Sequence, residues 1–495
     1  RSILSKLQKD TPSISPLLSD DSTKSIAVLP FKNWSGDPEL EYISDGMTDA
    51  VISRISEIKE MDRVVPFTSS VQFKNSEKSM PELAKTLNVF YILEGNFQKQ
   101  GSQFKINLRL NDGPLNKQIW SGSYSGEWKT NEIFEIQSKV AENVANIMNV
   151  KLTERDYDAF TGIPTKSEEA YNYYLLAEYQ NNKFNQTSFK NAIPLYEKAF
   201  AMDSTFVEPL LGLADIYVTG GAVWGLYGEQ EAWRNAKFYL QKASAIDGEN
   251  VRLSDQLFVG KFYFEWDFEA VEQYISDNYA HKGADNWNEY LFVDYYIKTG
   301  KCAYALSELN KLILEDPSFG WLFAIRASVI FFLYSAAEAK KELKHIDPLF
   351  LDDMFYLREA AKWYYYFGAY EESRLMLEKL MNSFPDRPPI VAWLNAVHFE
   401  MANNRSGVQE SLSTLQKHYV KGSSGSPAWF MALYYCHIQE DREVFKWLQK
   451  SYDNHEVEMT WLRAEPLLEP YRQDPRYLDL YKKMKFPVPP LSSLD

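Results

Sequence analysis

Cysteine, histidine, basic charge and long apolar runs are all scarce in this sequence, and each scarcity excludes a class of function. Only Cys302 and Cys436 occur, far apart and in no metal-like spacing, so both read as buried apolar packing rather than as a disulfide framework or a zinc site. The six histidines (His281, His345, His398, His418, His437 and His455) are scattered and form no metal spacing either. The longest apolar stretch, Trp321 to Tyr334, is broken by Arg326 and falls short of the ~18–20 residues a bilayer span requires. Lys and Arg number 53 against 68 Asp and Glu, a net charge of −15 that would repel a phosphate backbone, and no local basic cluster offsets it. Direct nucleic-acid binding by this chain is therefore not expected. Gly-x-Ser-x-Gly, His-Glu-x-x-His and dinucleotide fingerprints are missing too, and no cofactor is expected. A glycosidase-like pair of carboxylates meeting only in space is the enzymatic alternative left open.

What is present is an ordinary soluble composition, 45% apolar and 24% charged, on a chain of 495 residues that is too long for one core. Aromatic residues reach 15%, which suits either helix–helix packing or a stacking surface for ligands. Residues 1–24 are polar, with Pro, Ser and Asp throughout, and read as a linker. The start at Arg1 rather than Met suggests that a module lies upstream.

From Ser25 the texture changes. Ser25 to Phe31 is an apolar run ended by proline, a buried strand, and Asn33 to Pro38 is turn chemistry. Met47, Ala50, Val51 and Ile55 hold helical spacing; Val64 to Phe67 is a second strand and Met80 to Leu87 a second helix. Strand-like runs follow at Val89–Phe97, Phe104–Leu110 and Gln118–Tyr124, the last two joined by the hairpin signal Asp112-Gly113-Pro114, before a helix from Asn131 to about Met148. This order predicts an α/β sandwich over residues 25–150. Its acidic stretch Asp37, Glu39, Glu41, Asp45 and Asp49 could serve metal or acid/base chemistry, but reads more simply as a turn plus the first turns of a helix.

Ser25-Ile-Ala-Val-Leu-Pro-Phe-Lys-Asn33, Gly36-Asp-Pro-Glu39, Ser44-Asp-Gly-Met47 and Thr68-Ser-Ser70 come in order along this region. So do Tyr91-Ile-Leu-Glu-Gly95, Ile119-Trp-Ser121 and Ile133-Phe-Glu-Ile-Gln137. Together they resemble the TolB-like N-terminal domain of bacterial regulators and adenylate cyclase-like signalling proteins. The resemblance implies a domain between an output module and tetratricopeptide repeats, often in a membrane-anchored transcriptional regulator. It also implies the periplasmic side of the inner membrane (alternatively the cytoplasm) and possible homodimers.

After Lys151 helical periodicity runs onward with a period near 34 residues, the length of a tetratricopeptide repeat. Ala192, Tyr196 and Ala199, then Leu210, Leu213, Ala214 and Tyr217, then Ala236, Leu240 and Ala243 keep its phase. So do Tyr296, Gly300, Ala305, Leu309 and Leu312, followed by Tyr364, Gly368, Ser373 and Leu377, with degenerate copies at Ala396–Leu415 and Ala432–Tyr452. An all-α superhelix is expected over 151–485, with a tail at 486–495. Trp447-Leu448, Glu465-Pro466 and Arg472 to Tyr477 resemble the terminal segment of such regulators, whose expected task is to cap the last helix pair.

Repeats of this kind bind partners along the groove lined by the first helix of each pair. The phase places Trp287, Tyr290, Asp294, Ile297 and Lys298 there, and Phe355, Arg358, Lys362, Tyr365 and Tyr366 from a later copy. Aromatics mixed with both charge signs suit a peptide, a protein partner or an oligosaccharide, although each residue alone could equally serve packing between repeats. Gly220 to Gly228 interrupts the repeat and lacks the Lys-Ser/Thr of a phosphate loop. Its Trp224 and Tyr227 suggest an aromatic flap over that ligand, or a locally packed loop. The expected function is the sensing and partner-binding part of a signalling protein; an envelope scaffold without output is the alternative.

Overall fold

The computed structural model describes residues 24–154, 156–157, 162–222, 226–248, 250–278, 287–384 and 386–490. These described residues divide into two compact units, one drawn from residues up to 162 together with 314–318, the other from 163–313 and 319 onward. No helix among the described residues is long and apolar enough to cross a membrane.

The first unit is a small mixed sheet with helices. Its elements are β1 (Ser25–Val28), β2 (Lys32–Asn33), α1 (Glu41–Ser56), β3 (Arg63–Val64), α2 (Met80–Leu87), β4 (Tyr91–Gln100), β5 (Gln103–Asp112), β6 (Lys117–Glu127) and α3 (Thr130–Ile147). The sheet runs β3-β1-β4-β5-β6, with β2 also beside β4; β1 is parallel to β3 and β4, whereas β4, β5 and β6 form an antiparallel meander. Period-two patterning explains the meander: Phe104, Ile106, Leu108 and Leu110 of β5 are buried while Lys105 and Arg109 between them are exposed. Asn107 lies on the polar face and bridges strands, donating to Asn96 at 2.9 Å and accepting from Ser123 at 2.9 Å. A capping box starts α2, where Ser79 N–H donates to Glu82 at 2.7 Å, and Asn88 ends it in the left-handed conformation (φ 51°). The strand expected at Val64–Phe67 stops at Val64, because Pro66 withholds a donor and the chain turns helical over Phe67–Ser70.

The second unit is built of consecutive antiparallel helix pairs: α4 (Glu168–Asn181) with α5 (Gln186–Met202), α6 (Glu208–Ala222) with α7 (Glu229–Ile246), α8 (Val251–Val259) with α9 (Phe268–Asn278), and α10 (Trp287–Lys298) with α11 (Cys302–Glu315). Then come α12 (Gly320–Leu333) with α13 (Ala336–Ile346), α14 (Met354–Tyr366) with α15 (Tyr370–Ser383), α16 (Pro389–Met401) with α17 (Arg405–Lys421), and α18 (Pro427–His437) with α19 (Asp441–Asp453). Small residues sit where partners cross: Ala192, Ala199, Ala236, Ala243 and Ala305 are wholly buried. The winding brings early pairs back against late ones. Ser424 N–H donates to Tyr227 O at 2.7 Å, Gln186 N–H to Asp386 at 2.9 Å, and the Phe184 and Phe355 rings meet at 5.7 Å.

Beyond α19 the chain does not stop at capping the last pair. The 3-10 segments Val457–Trp461 and Pro466–Tyr471 precede α20 (Pro475–Met484), and they pack against first helices of several pairs. Apolar residues Met459, Leu462 and Leu468 of this segment are wholly buried, and α20 packs on α19 of the last pair.

Candidate functional site

Residues 456–465 lie against the first helices α10, α14 and α18 and the helical turn Gly260–Phe264 that follows α8, and the face these share is here the inner face of the second unit. Trp461 is the anchor. Lys298 of α10 and Lys362 of α14 place their ammonium groups 5.0 and 4.9 Å from its ring centre, so two helices grip one indole through cation–π contacts. Each lysine is also paired within its own helix, Lys298 with Asp294 at 2.7 Å and Lys362 with Glu359 at 3.1 Å, because i,i+4 and i,i+3 positions share a helix face. Tyr263 donates to Asp294 at 2.5 Å. Glu359 is fully buried, which alone would raise its carboxyl, yet Lys362 and Arg358 outweigh burial and hold it below the ordinary range. Arg358 in turn reaches Glu458 of the segment at 3.9 Å.

Two further carboxylates fix the segment. Glu465 accepts from the Tyr366 hydroxyl at 2.9 Å and from Leu467 N–H at 3.0 Å; burial nevertheless pushes it up to about 7. Glu456 accepts from Ala428 and Trp429 N–H at 3.0 and 2.8 Å, capping α18, where the helix dipole favours an acid. Glu229, the first residue of α7, accepts from Ser426 N–H at 3.0 Å. Burial pushes both Glu229 and Glu456 above the ordinary carboxylate range, and the Glu456 charge raises Glu229 further. Farther along, Trp266 stacks on His455 at 4.0 Å.

A small opening lies on this face beside the segment. Lys362, Trp363, Tyr366, Trp429, Phe430, Leu433, Glu458, Trp461 and Glu465 line a pocket of about 260 Å³ that includes its open mouth. Small-molecule sites begin at roughly 300 Å³.

The expected groove residues thus divide. Arg358 and Lys362 come together on the inner face with Lys298 and Tyr366, where they engage residues 458–465 of the same chain, and Asp294 pairs with Lys298 beside them. Tyr365 lies behind that face, its hydroxyl 3.0 Å from His437 Nδ1 and its ring 5.4 Å from Trp393. Tyr290 is buried against Phe319 and Trp321, with ring centres 5.5 and 6.3 Å away. Trp287 is the first residue of α10. Trp224 lies outside the described residues, but Tyr227 does not hang free as a flap: its ring is 4.9 Å from Tyr217, and its carbonyl holds Ser424. Sequence reasoning missed Trp461, Glu458 and Glu456, although the density of carboxylates and aromatics from Glu456 to Tyr471 was a signal for a buried segment.

The acidic stretch of the first unit has a partner that the sequence did not reveal. Lys74 lies 2.5 Å from Glu41 and 2.5 Å from Asp45, and Asp37 accepts from Glu39 N–H at 2.9 Å. Among the described residues no group of three or more His, Cys, Asp or Glu is arranged to hold a metal ion. An ion pair and a cap account for the three carboxylates.

Residues 22–143 match the family model of the HilA/YgeH-like transcriptional regulator, second domain. A stretch of 195 residues, 39% of this chain, is 28% identical to "Putative adenylate cyclase 3" of Rhizobium meliloti (strain 1021), and the match covers 33% of that protein. The chain therefore spans about a third of the length of the curated relative it matches. Among solved structures, the APC/C hetero-tetramer Cut9–Hcn1 is 12% identical over 72% of this chain and 76% of that one, with a TM-score of 0.40. PilF of Pseudomonas aeruginosa is 14% identical over 55% of this chain and 98% of its own, with a TM-score of 0.25. The first unit, on this footing, carries a domain similar to the second domain of HilA/YgeH-like transcriptional regulators.

Proposed function

We propose that this chain is the regulatory, protein-interacting region of a bacterial signalling protein whose output module lies elsewhere. In this reading the α/β unit is the TolB-like domain its motifs resemble. The helical unit is a tetratricopeptide-type platform for a protein partner, acting at the periplasmic side of a membrane-anchored regulator. The observation that carries the choice of a protein partner over an oligosaccharide or short peptide is the seating of residues 456–465 on the inner face. That segment already uses Lys298, Arg358, Lys362 and Tyr366, and the pocket beside it is below the size of a small-molecule site. A large partner reads shape and charge over an extended surface and needs no such cavity.

The match over residues 22–143 favours transcription as the output, and the likeness to a protein named for adenylate cyclase favours a second reading, cyclic-nucleotide synthesis by a separate module. Deleting the codons for residues 163–495 from the full-length gene, then measuring transcript profiles and cellular cyclic AMP, tests both. Altered transcripts with unchanged cyclic AMP support the first reading, and altered cyclic AMP the second. If neither changes, the regulatory role is wrong. Thermal-shift titration of the chain with short peptides and oligosaccharides is expected to give no concentration-dependent rise in Tm; a rise would restore a small ligand.

A further inference from the structure

The sheet of the first unit ends very differently on its two sides. One edge is β3, two residues long, and a strand that short offers almost nothing for another chain to pair with. The other is β6, eleven residues from Lys117 to Glu127, and among the described residues no strand pairs with its outer side. The usual protections are missing from it. It holds no proline and no lysine after Lys117, its register irregularity lies near one end opposite Leu110 and Asn111, and Ser121, Ser123 and Ser125 are exposed.

We propose that β6 is a homodimer interface, on which a second copy of this chain pairs antiparallel about a two-fold axis at Gly122. The strand is self-complementary in that register. Trp120 of one copy faces Tyr124 of the other, Ser121 faces Ser123, and Gly122 faces itself. The Lys117 end of each strand meets the Glu127 end of its neighbour, so opposite charges meet at both ends. Residues directly opposite keep to the same side of the sheet, which leaves the α1 and α3 layers of both copies on one face. Gly122 fits the axis for a local reason. A Cβ there would lie 2.5 Å from the Trp120 ring and 3.0 Å from the Tyr124 ring, so only glycine lets the two rings fold over the strand. Aromatic cross-strand pairs and an unbroken ladder of backbone hydrogen bonds supply the affinity.

Sedimentation equilibrium of the 495-residue chain over a range of concentrations is the test, and a reversible dimer is expected. Ser121→Lys/Ser123→Lys sets like charges opposite each other in two facing pairs and is expected to weaken the dimer about tenfold or more. Ser121→Lys/Ser123→Glu sets opposite charges in the same two pairs and is expected to return the affinity to within about threefold of the parent. Both serines are exposed, and an unchanged thermal melt at low concentration checks that the variants fold. A chain that stays monomeric at every concentration overturns the proposal, as does a dimer indifferent to the lysine pair. Pairing of β6 with a strand of a different protein, in a chain that remains monomeric, overturns it too.

Discussion

The two units treat their exposed binding surfaces in opposite ways. Among the described residues the α/β unit leaves an eleven-residue strand edge unpaired, whereas the helical unit covers its own inner face with residues 456–465. A strand edge offers a backbone ladder that any extended segment can extend, so leaving it bare invites a partner. A concave helical face offers side chains, and these are satisfied here by Trp461, Glu458 and Glu465 in the way a bound peptide would satisfy them. Surface shape alone therefore does not say which region is available; the accounting of polar and aromatic partners does.

The comparison breaks most easily at Trp461. Trp461→Ala removes the ring between Lys298 and Lys362 and is expected to lower stability by about 3–5 kcal/mol, read from urea unfolding of the helical unit. A loss below about 1 kcal/mol would mean the segment only rests on the face.

The next effect depends on pH. Glu465 in the folded chain titrates near 7 rather than 4.5, so the folded state holds a proton that the unfolded state has lost between those values. Its contribution is fully present below about pH 4.5 and fades as pH rises through 7. The displacement corresponds to roughly 3 kcal/mol. Glu465→Gln keeps its carbonyl oxygen for Leu467 N–H, can donate its amide to the Tyr366 oxygen and cannot ionise, so the variant should gain on the parent by up to about that amount between pH 5 and 8. Parallel stability curves for the two proteins would contradict the assignment.

A smaller change probes the closure of the superhelix. A Cβ on Gly228 would lie 2.5 Å from the Gly422 carbonyl oxygen, and Gly228→Ala must push the two loops apart, at about 1–3 kcal/mol in the same unfolding assay. The smallest effect falls in the α/β unit. Lys74→Ala leaves Glu41 and Asp45 unpaired at a partly exposed site, and about 1 kcal/mol is expected from its thermal melt.

Much of the architecture was legible because it follows from local periodicity. Period-two alternation in Gln103 to Asp112 gave β5, and the spacing of Ala192, Tyr196 and Ala199 gave a second repeat helix. The phasing on Gly300 and Gly368 put Asp294, Lys298, Arg358 and Lys362 on one face, because residues three and four apart must share it. The occupant of that face was not legible. Contacts such as Lys298 with Trp461 join residues more than 160 positions apart, and no periodicity encodes which distant segment returns to a groove. Tyr365 and Tyr366 part for a related reason: one residue along a helix turns the side chain by about 100°, enough to send Tyr366 to the segment and Tyr365 to His437.

Hydrogen exchange of the backbone amides in residues 457–471 tests the central claim most directly. If the segment is seated on the inner face, its amides exchange as slowly as those of α14, because opening them requires loss of the Trp461 and Glu465 contacts. Complete exchange within seconds, as from a free tail, would show that the groove is open and would return it to the list of sites available to a ligand.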